Sequence, residues 1–354
     1  MKSVMKHNFA QVPSVDIPRS TFDRSHGYKT TFNSGYLVPC FVDEALPGDT
    51  FNLNMTAFSR LATPIFPIMD NIMMETFFFA VPIRLIWDNW QKFNGEQVDP
   101  GDSTDYTVPT MTSTAGTGYA NESLHDYFGL PTKIPGLEHN SLWHRAYNLI
   151  YNEWFRDQNL QDSVLVDKDD GPDDPTDYVL LRRGKRHDYF TSALPWPQKG
   201  DSVELPLGTT APVTSTDTGI QVYNTVDATL RLANLDAAGN IESPAPSGAG
   251  ALRWGTATGL ETDLSTATAA TINQLRQAFQ VQKLLERDAR GGSRYIEIIK
   301  SHFGVTSPDQ RLQRPEYLGG GSSPVNISPV SQTSSTDGTS PQGNLAAIGT
   351  THFS

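Results

Sequence analysis

The sequence has a single cysteine and no long apolar run, and both shortages exclude whole classes of protein. Because Cys40 stands alone among 354 residues, the chain has no internal disulfide and no multi-cysteine metal site. We expect its thiol to pack in the core. No apolar signal region opens the chain and no run of eighteen apolar residues follows. We therefore expect no membrane partner, and a protein that stays in the cytosol where it is made.

Catalytic motifs are missing as well. The sequence contains no G-x-S-x-G, no H-E-x-x-H and no Walker A motif, and Gly116-x-Gly118 lacks a third glycine. His139 and His144 are five residues apart, a spacing that does not bring two imidazoles to one metal on a helix. We predict that the protein is not an enzyme and has no catalytic residues, no cofactor and no metal.

The composition favours a mostly β protein. Hydrophobic residues make up 37%, enough for a core, while 28 glycines and 24 prolines suit many turns and long loops. We predict one large domain with insertions rather than two domains.

The clearest strand signals lie between Gly35 and Pro82. We predict three consecutive strands there, over 36–42, 51–57 and 72–81. The second alternates apolar and polar side chains, which is typical of a half-buried strand. The third is almost wholly apolar, so we expect both of its faces to be covered.

Charge is strongly segregated along the chain. The net charge is −12, yet residues 1–32 carry net +3 and residues 99–177 carry net −11. We interpret 1–32 as an extended basic arm, because it has prolines and interleaved aromatics but no helical or strand period. Its five cations are candidates for contact with nucleic acid: Lys2, Lys6, Arg19, Arg24 and Lys29. The alternative is a tail that packs along its own or a neighbouring subunit.

Seven aspartates crowd residues 162–177. Their spacing does not fit an EF-hand, which needs glycine at the sixth position and glutamate at the twelfth. We favour a solvated turn over a divalent cation site. The basic run 182–187 that follows is expected to pair with these aspartates, within the subunit or across an interface.

Helical patterns are few. We predict a short helix over 85–93, an amphipathic helix beginning at Ser141, and two helices after residue 270. Thr271 and Gln274 form a capping box for the third helix, and Ser293 is expected to cap the fourth. Residues 201–270 are rich in Thr, Ala, Ser and Gly, which indicates a surface insertion. We predict loop from Pro308 onward, with a flexible linker at 319–321 and no element closed at the end of the chain.

Several long and unusual strings stand out along the chain. They are PRSTF (18–22), SHGYKTTF (25–32), LPGDTF (46–51), ATPIFPIMDN (62–71), WDNW (87–90), SALPWPQ (192–198) and QRLQRPEYLGGG (310–321). Together they resemble the major capsid protein of the Microviridae, in the gokushovirus branch. The strings occur in the family's order and span nearly the full length except the insertion.

This resemblance implies a viral jelly roll, an eight-stranded β-sandwich, with long helical and loop insertions. It divides the chain into the arm at 1–32 and a jelly-roll domain at 33–354 with a surface insertion at about 201–270. Capsid chains of this family continue past the position matching Ser354, so we expect the C-terminal strands to be missing from this sequence. Unpaired sheet edges and exposed phenylalanines would then make residues 1–354 prone to aggregate when expressed alone.

The resemblance also implies the function and the partners. The chain would self-assemble into a T=1 icosahedral shell enclosing single-stranded DNA, with the arm inside and the insertion facing a host surface receptor. Scaffolding proteins and minor capsid or DNA-pilot proteins would be further partners. The protein would be found in the virion, after assembly in the bacterial host cytoplasm.

Two alternatives share the same composition. A jelly-roll carbohydrate-binding or glycosidase domain would use one pair of the many carboxylates. A phage receptor-binding module would share the Thr/Ala/Gly-rich insertion and form a trimer that never closes into shells.

Overall fold

The computed structural model describes residues 18–61, 70–184, 186–204, 271–329 and 347–353, with seven short strand segments between 213 and 262. The chain divides into two compact units, which we describe separately. The first unit comprises Met1–Lys185 and Gln313–Ser354, and the second comprises Arg186–Leu312.

Among the described residues, seven strands belong to the first unit and seven to the second. The first unit contains β1 Ala57–Leu61, β2 Met73–Ala80, β3 Thr110–Thr112, β4 Glu138–Asn140, β12 Glu316–Pro324, β13 Asn326–Pro329 and β14 Ala347–Phe353. The second contains β5 Val213–Ser215, β6 Gln221–Asn224, β7 Leu230–Leu232, β8 Asn234–Leu235, β9 Ile241–Glu242, β10 Leu252–Trp254 and β11 Leu260–Thr262.

Five α-helices accompany these strands in the described residues. They are α1 Trp90–Phe93, α2 Leu124–Tyr127, α3 Leu142–Ile150, α4 Ile272–Gly291 and α5 Tyr295–Phe303. A π-helical turn at Tyr151–Phe155 extends α3, and 3₁₀ turns occur at Ile83–Leu85 and Pro175–Asp177. Of the helices in the described part of the chain, none is both long enough and apolar enough to cross a bilayer.

The described strands form small antiparallel sheets. In the first unit the orders are β1-β14-β13, β2-β12 and β3-β4. In the second unit they are β10-β6-β7, β5-β11 and β8-β9. The protein is therefore rich in sheet with some helices, as expected for a capsid fold. The eight-stranded jelly roll and the division into arm, domain and insertion stay predictions.

The predicted strand block is confirmed in only one of its three strands. The third strand corresponds to β2, and all eight of its residues are half-buried, as its apolar pattern predicts. The second is displaced, because the ladder with β14 begins only where Ala57 pairs with Phe353. The first is wrong: in 36–42 only Tyr36 bridges to another segment, at Arg182. A strand needs a partner along its whole length, and this segment has one at a single position.

Cys40 lies in that unpaired segment and is exposed, so the prediction of a core thiol is wrong. With no sheet formed over 36–42, no covered face exists there to receive the side chain.

The predicted linker at 319–321 is also wrong, since these glycines lie in the middle of β12. Gly320 pairs with Phe77, and a Cβ built on it would collide with the carbonyl oxygen of Thr76. The glycine run therefore permits a close approach of two backbones rather than flexibility. The end of the chain does close an element, because β14 lies between β1 and β13.

The helix predictions fare better. The capping box of Thr271 and Gln274 is present at the start of α4, and Gly304 ends α5 with a φ of 68°. The cap of α5 is Arg294 rather than Ser293. α3 and its π-helical turn correspond to the predicted amphipathic helix. The helix predicted over 85–93 is instead a 3₁₀ turn followed by the short α1.

The buried core of the first unit lies mainly in its loops and helices, together with the short strand β3. One cluster centres on Ile86, Trp87 and Leu142, and a second centres on Met111, Leu124 and Tyr178. Nothing between residues 18 and 82 is fully buried among the residues described there. The core therefore forms where the sequence pattern indicated mainly loop.

Candidate functional site

The basic arm is held against its own chain over its described part. Lys2 and Lys6 lie outside the described residues. Arg19 donates to the carbonyl oxygen of Gly48, and the Arg24 guanidinium lies 3.1 Å from the carboxylate of Asp43. Lys29 is exposed. Two of the three described cations therefore have partners within the subunit.

Two tyrosines join the arm to α2. The Tyr28 hydroxyl donates to the carbonyl oxygen of Tyr127 at 3.1 Å, and the Tyr127 hydroxyl donates to that of Thr31 at 3.0 Å. This reciprocal pair fits the alternative that the arm packs along its own subunit. Contact of the five cations with nucleic acid stays a prediction.

The aspartate segment is organised around one buried ion pair. Asp173 and Arg145 are both buried, and Arg145 Nε donates to Asp173 Oδ2 at 2.7 Å while Nη2 contacts Oδ1. Arg145 Nη1 also donates to the carbonyl oxygens of Ile86 at 3.1 Å and Asp169 at 2.8 Å. The guanidinium therefore ties α3 to the aspartate loop and to the turn before α1.

Burial alone would raise the pKa of Asp173, but hydrogen bonds from Arg145 and from the Tyr178 hydroxyl, at 2.7 Å, hold it below its ordinary value. The expectation of a solvated turn is wrong for Asp173, since a carboxylate buried with a guanidinium is a structural element. It holds for Asp174 and Asp177, which are exposed.

A neighbouring aspartate, Asp170, also holds the loop through hydrogen bonds. Asp170 accepts from Asn89 Nδ2 at 3.0 Å and from Trp87 Nε1 at 2.7 Å, and these hydrogen bonds lower its pKa. No group of three or more His, Cys, Asp or Glu side chains in the described residues is arranged to hold a metal ion.

Two arginines of the basic run after this segment have other partners. Arg182 Nη2 donates to the Tyr36 hydroxyl at 2.9 Å, and its guanidinium lies 4.7 Å from that ring. Arg183 forms an ion pair with Glu75 of β2 and lies over the Phe77 ring. Among the described contacts, Arg182 therefore holds the segment at Tyr36 and Arg183 holds β2, rather than the aspartates.

Three histidines form a cluster that the sequence spacing did not predict. His139 lies in β4 and His144 in α3, with ring centroids 5.3 Å apart, and His125 of α2 completes the group. His125 Nδ1 and His144 Nε2 are 2.9 Å apart, and the Tyr119 hydroxyl lies 2.7 Å from His139 Nε2. The five-residue spacing excluded a shared helix, but a strand-to-helix turn brings the rings together.

Two histidines of the cluster, His125 and His144, are neutral at neutral pH. Burial, with a further effect of the neighbouring imidazoles, lowers the pKa of His144 to about 2 and that of His125 to about 4. Burial also raises the pKa of Tyr119 to about 12. None of these three groups titrates near pH 7, where a general acid or base works best.

A shallow depression of about 550 Å³ opens beside this cluster, lined by residues that include Asn33, Tyr36, Tyr119, His125 and Tyr178. The side chains of Tyr36, Tyr119, His125 and Tyr178 in its lining are engaged in the contacts just described. The polar groups of the first unit hold loops, strands and arm together. Such an arrangement is typical of a structural protein, in which loops joined by hydrogen bonds and ion pairs connect half-buried strands.

The family model for the capsid protein (F protein) matches residues 10–353, and the chain belongs to this family of phage capsid proteins. Its role is therefore structural, and the prediction that it is not an enzyme is confirmed. The resemblance to the gokushovirus-like Microviridae is confirmed by relatives named capsid protein VP1.

Three such relatives show how far the similarity extends. The VP1 protein of Bdellovibrio phage phiMH2K is 53% identical over 98% of this chain. Those of Chlamydia phage 1 and Spiroplasma virus 4 are 43% and 37% identical, again over 98% of it. The chain spans 66%, 69% and 67% of the respective relatives' lengths, which is about two thirds.

Proposed function

We propose that the chain is the repeating subunit of a T=1 icosahedral shell enclosing a single-stranded DNA genome. The observation that carries this proposal is the 53% identity to a phage VP1 capsid protein over 98% of the chain. In this proposal the virion is its location and the bacterial host cytoplasm is where it assembles. The family assignment replaces both earlier alternatives, the carbohydrate-active domain and the receptor-binding module.

The jelly roll belongs to the same proposal. Its support is the pairing of strands from opposite ends of the chain, since β1 pairs with β14 and β2 with β12. Such long-range antiparallel pairing is typical of jelly rolls. The half-buried state of β2 supports self-assembly, because a neighbouring copy would cover the face that this chain leaves open.

Imaging of assembled particles tests the shell. The complete gene is expressed in a bacterial host with the phage's scaffolding and minor capsid or DNA-pilot genes, and the products are examined by cryo-electron microscopy. We expect closed T=1 particles. Monomers or open oligomers under every assembly condition would contradict the proposal.

The arm and the insertion have separate roles in this proposal. Lys2, Lys6, Arg19, Arg24 and Lys29 would face the interior and contact DNA, and the insertion at about 201–270 would contact a host receptor. Replacing the five cations with glutamine is expected to lower the nuclease-protected DNA per particle while particles still form, because phosphate contacts carry much of the affinity. Unchanged DNA content would remove the arm from the proposal.

A further inference from the structure

The outward face of α4 carries a row of four cations. Arg276, Lys283, Arg287 and Arg290 are all exposed and follow one another at intervals of 7, 4 and 3 residues. At 100° per residue they lie within a sector of about 60°, and they extend over about 21 Å of helix. We call these four residues the α4 basic stripe. The opposite side of the helix is covered, with Ala289 buried and Leu275 and Leu285 half-buried.

The two carboxylates of α4 itself already have partners among the described residues. Asp288 is already paired with His302 of α5, at 2.5 Å, and Glu286 lies 3.7 Å from Arg290. Arg276, Lys283 and Arg287 form no ion pair with any residue that the structure describes. Like charges three or four residues apart oppose helix formation, so the stripe costs stability within the chain. A partner of opposite charge would compensate for that cost.

Apolar side chains flank the stripe on both sides. Phe279 is 64% exposed and Leu284 is 49% exposed, and they border the row of cations on either edge. Phe279 therefore faces solvent rather than the covered side of α4. A row of charges bordered by exposed apolar groups fits a protein surface better than bare phosphates, which offer no apolar contact.

The same chain contains a surface with the complementary features. Asp162, Asp169, Asp174 and Asp177 are exposed on the aspartate loop, and residues 99–177 carry net −11. Leu160 and Leu165 are exposed within the same loop, at 66% and 52%. The aspartate loop therefore has a charge opposite to that of the α4 basic stripe, and both surfaces have exposed apolar side chains beside their charges.

We propose that the α4 basic stripe of one copy docks on the exposed aspartate loop of a second copy. This rests on the proposed function, because it assigns a contact within the assembled shell. The two surfaces differ, so the contact is head-to-tail, and repetition around a symmetry axis closes it into a ring.

Paired charge reversals test this contact. The stripe variant is K283E/R287E, the loop variant is D162K/D177K, and the combined variant carries all four changes. Two copies of each variant, carrying different tags, are expressed together with the other assembly genes. One copy is purified through its tag, and the amount of the other copy recovered with it is measured. We expect about a tenfold loss for either double variant, because like charges then face each other, and recovery in the combined variant.

The control is K133E/K300E, which reverses two exposed lysines outside the stripe and should associate as the unaltered protein does. Circular dichroism of each variant checks that it is folded. Normal association of a folded stripe variant would overturn the inference, as would a loss that the combined variant does not reverse. Nuclease-protected DNA lost with association intact would make nucleic acid the occupant instead. If the unaltered protein does not associate, it is the proposed function that fails.

Discussion

The strands of the first unit and the loop-and-helix region between residues 81 and 181 differ in how completely they bury themselves. Every residue of β2 is half-buried, and its aromatic rings lie in a partly open layer with Trp154 and Tyr317. By contrast, Trp87 and Arg145 between residues 81 and 181 are 0% exposed, and so is Met111 in the short strand β3 of the same region. The loop region completes its own core, whereas the sheets leave surface that neighbouring copies can cover.

This comparison reverses the usual expectation for a β protein. Sheets commonly supply the core and loops the surface. Here a buried ion pair of Arg145 and Asp173 joins α3 to the aspartate loop within the region between 81 and 181. A subunit designed for a shell has reason to keep its loops rigid, since loops then present fixed surfaces to the next copy.

The largest effect is expected from Arg145→Ala. The substitution leaves the Asp173 carboxylate buried without its guanidinium and removes donors to the Ile86 and Asp169 carbonyls. Breaking a buried pair in this way costs about 3–5 kcal/mol of the free energy of unfolding. Urea denaturation followed by tryptophan fluorescence measures it.

Arg24→Ala is the matched control, because the Arg24 side chain is 68% exposed in its pair with Asp43, and ion pairs screened by solvent contribute about 0–1 kcal/mol. Equal losses for the two variants would break the distinction between the self-sufficient loops and the rest of the unit.

Acid should destabilise the same region next. The pKa values of His125 and His144 are lower in the folded chain than the ordinary 6.5, so the unfolded state binds more protons between pH 6.5 and about 4. Stability is therefore complete above pH 6.5 and is lost as the pH falls. At pH 5.5 each histidine should cost about 1.4 kcal/mol of unfolding free energy.

His144→Gln should remove part of this pH dependence, and His26→Gln, at an exposed ring, is the control. Urea denaturation at pH 7.5, 6.5 and 5.5 gives the slope. A slope that is the same with and without His144 would show that the cluster does not titrate as its burial requires.

The smallest of the three effects concerns the strands. Gly320→Ala places a methyl group against the Thr76 carbonyl and should force β12 away from β2. Overpacking of this kind costs about 1–3 kcal/mol. Gly184→Ala is the control, because nothing lies within 4 Å of a Cβ at that position. Hydrogen exchange of the β2 amides, combined with thermal melting, distinguishes a local opening from global unfolding. An unchanged exchange pattern and melting temperature would mean that the pairing of β12 with β2 does not depend on glycine at this position.

Local sequence signals predicted the elements whose ends depend on residues close by in the sequence. The Thr271–Gln274 capping box and the end of α5 at Gly304 were predictable, because each depends on residues within one turn. β2 was predictable from its unbroken apolar run. The family was identified from long strings in order, which no local rule supplies.

The wrong predictions concern segments whose structure depends on contacts with distant parts of the chain. The glycines at 319–321 indicate flexibility until β2 approaches them, and 36–42 indicates a strand until its missing partner is seen. The histidine cluster needed the turn between β4 and α3 to bring its rings together.

The amino-acid order by itself determined the family, the charge segregation and the helices with local caps. Only the tertiary structure decided that Arg145 would be the centre of a buried network and that glycines would build a strand. The physical reason is that caps and apolar runs depend on short-range geometry, whereas burial and strand pairing depend on which distant segments arrive at the same place.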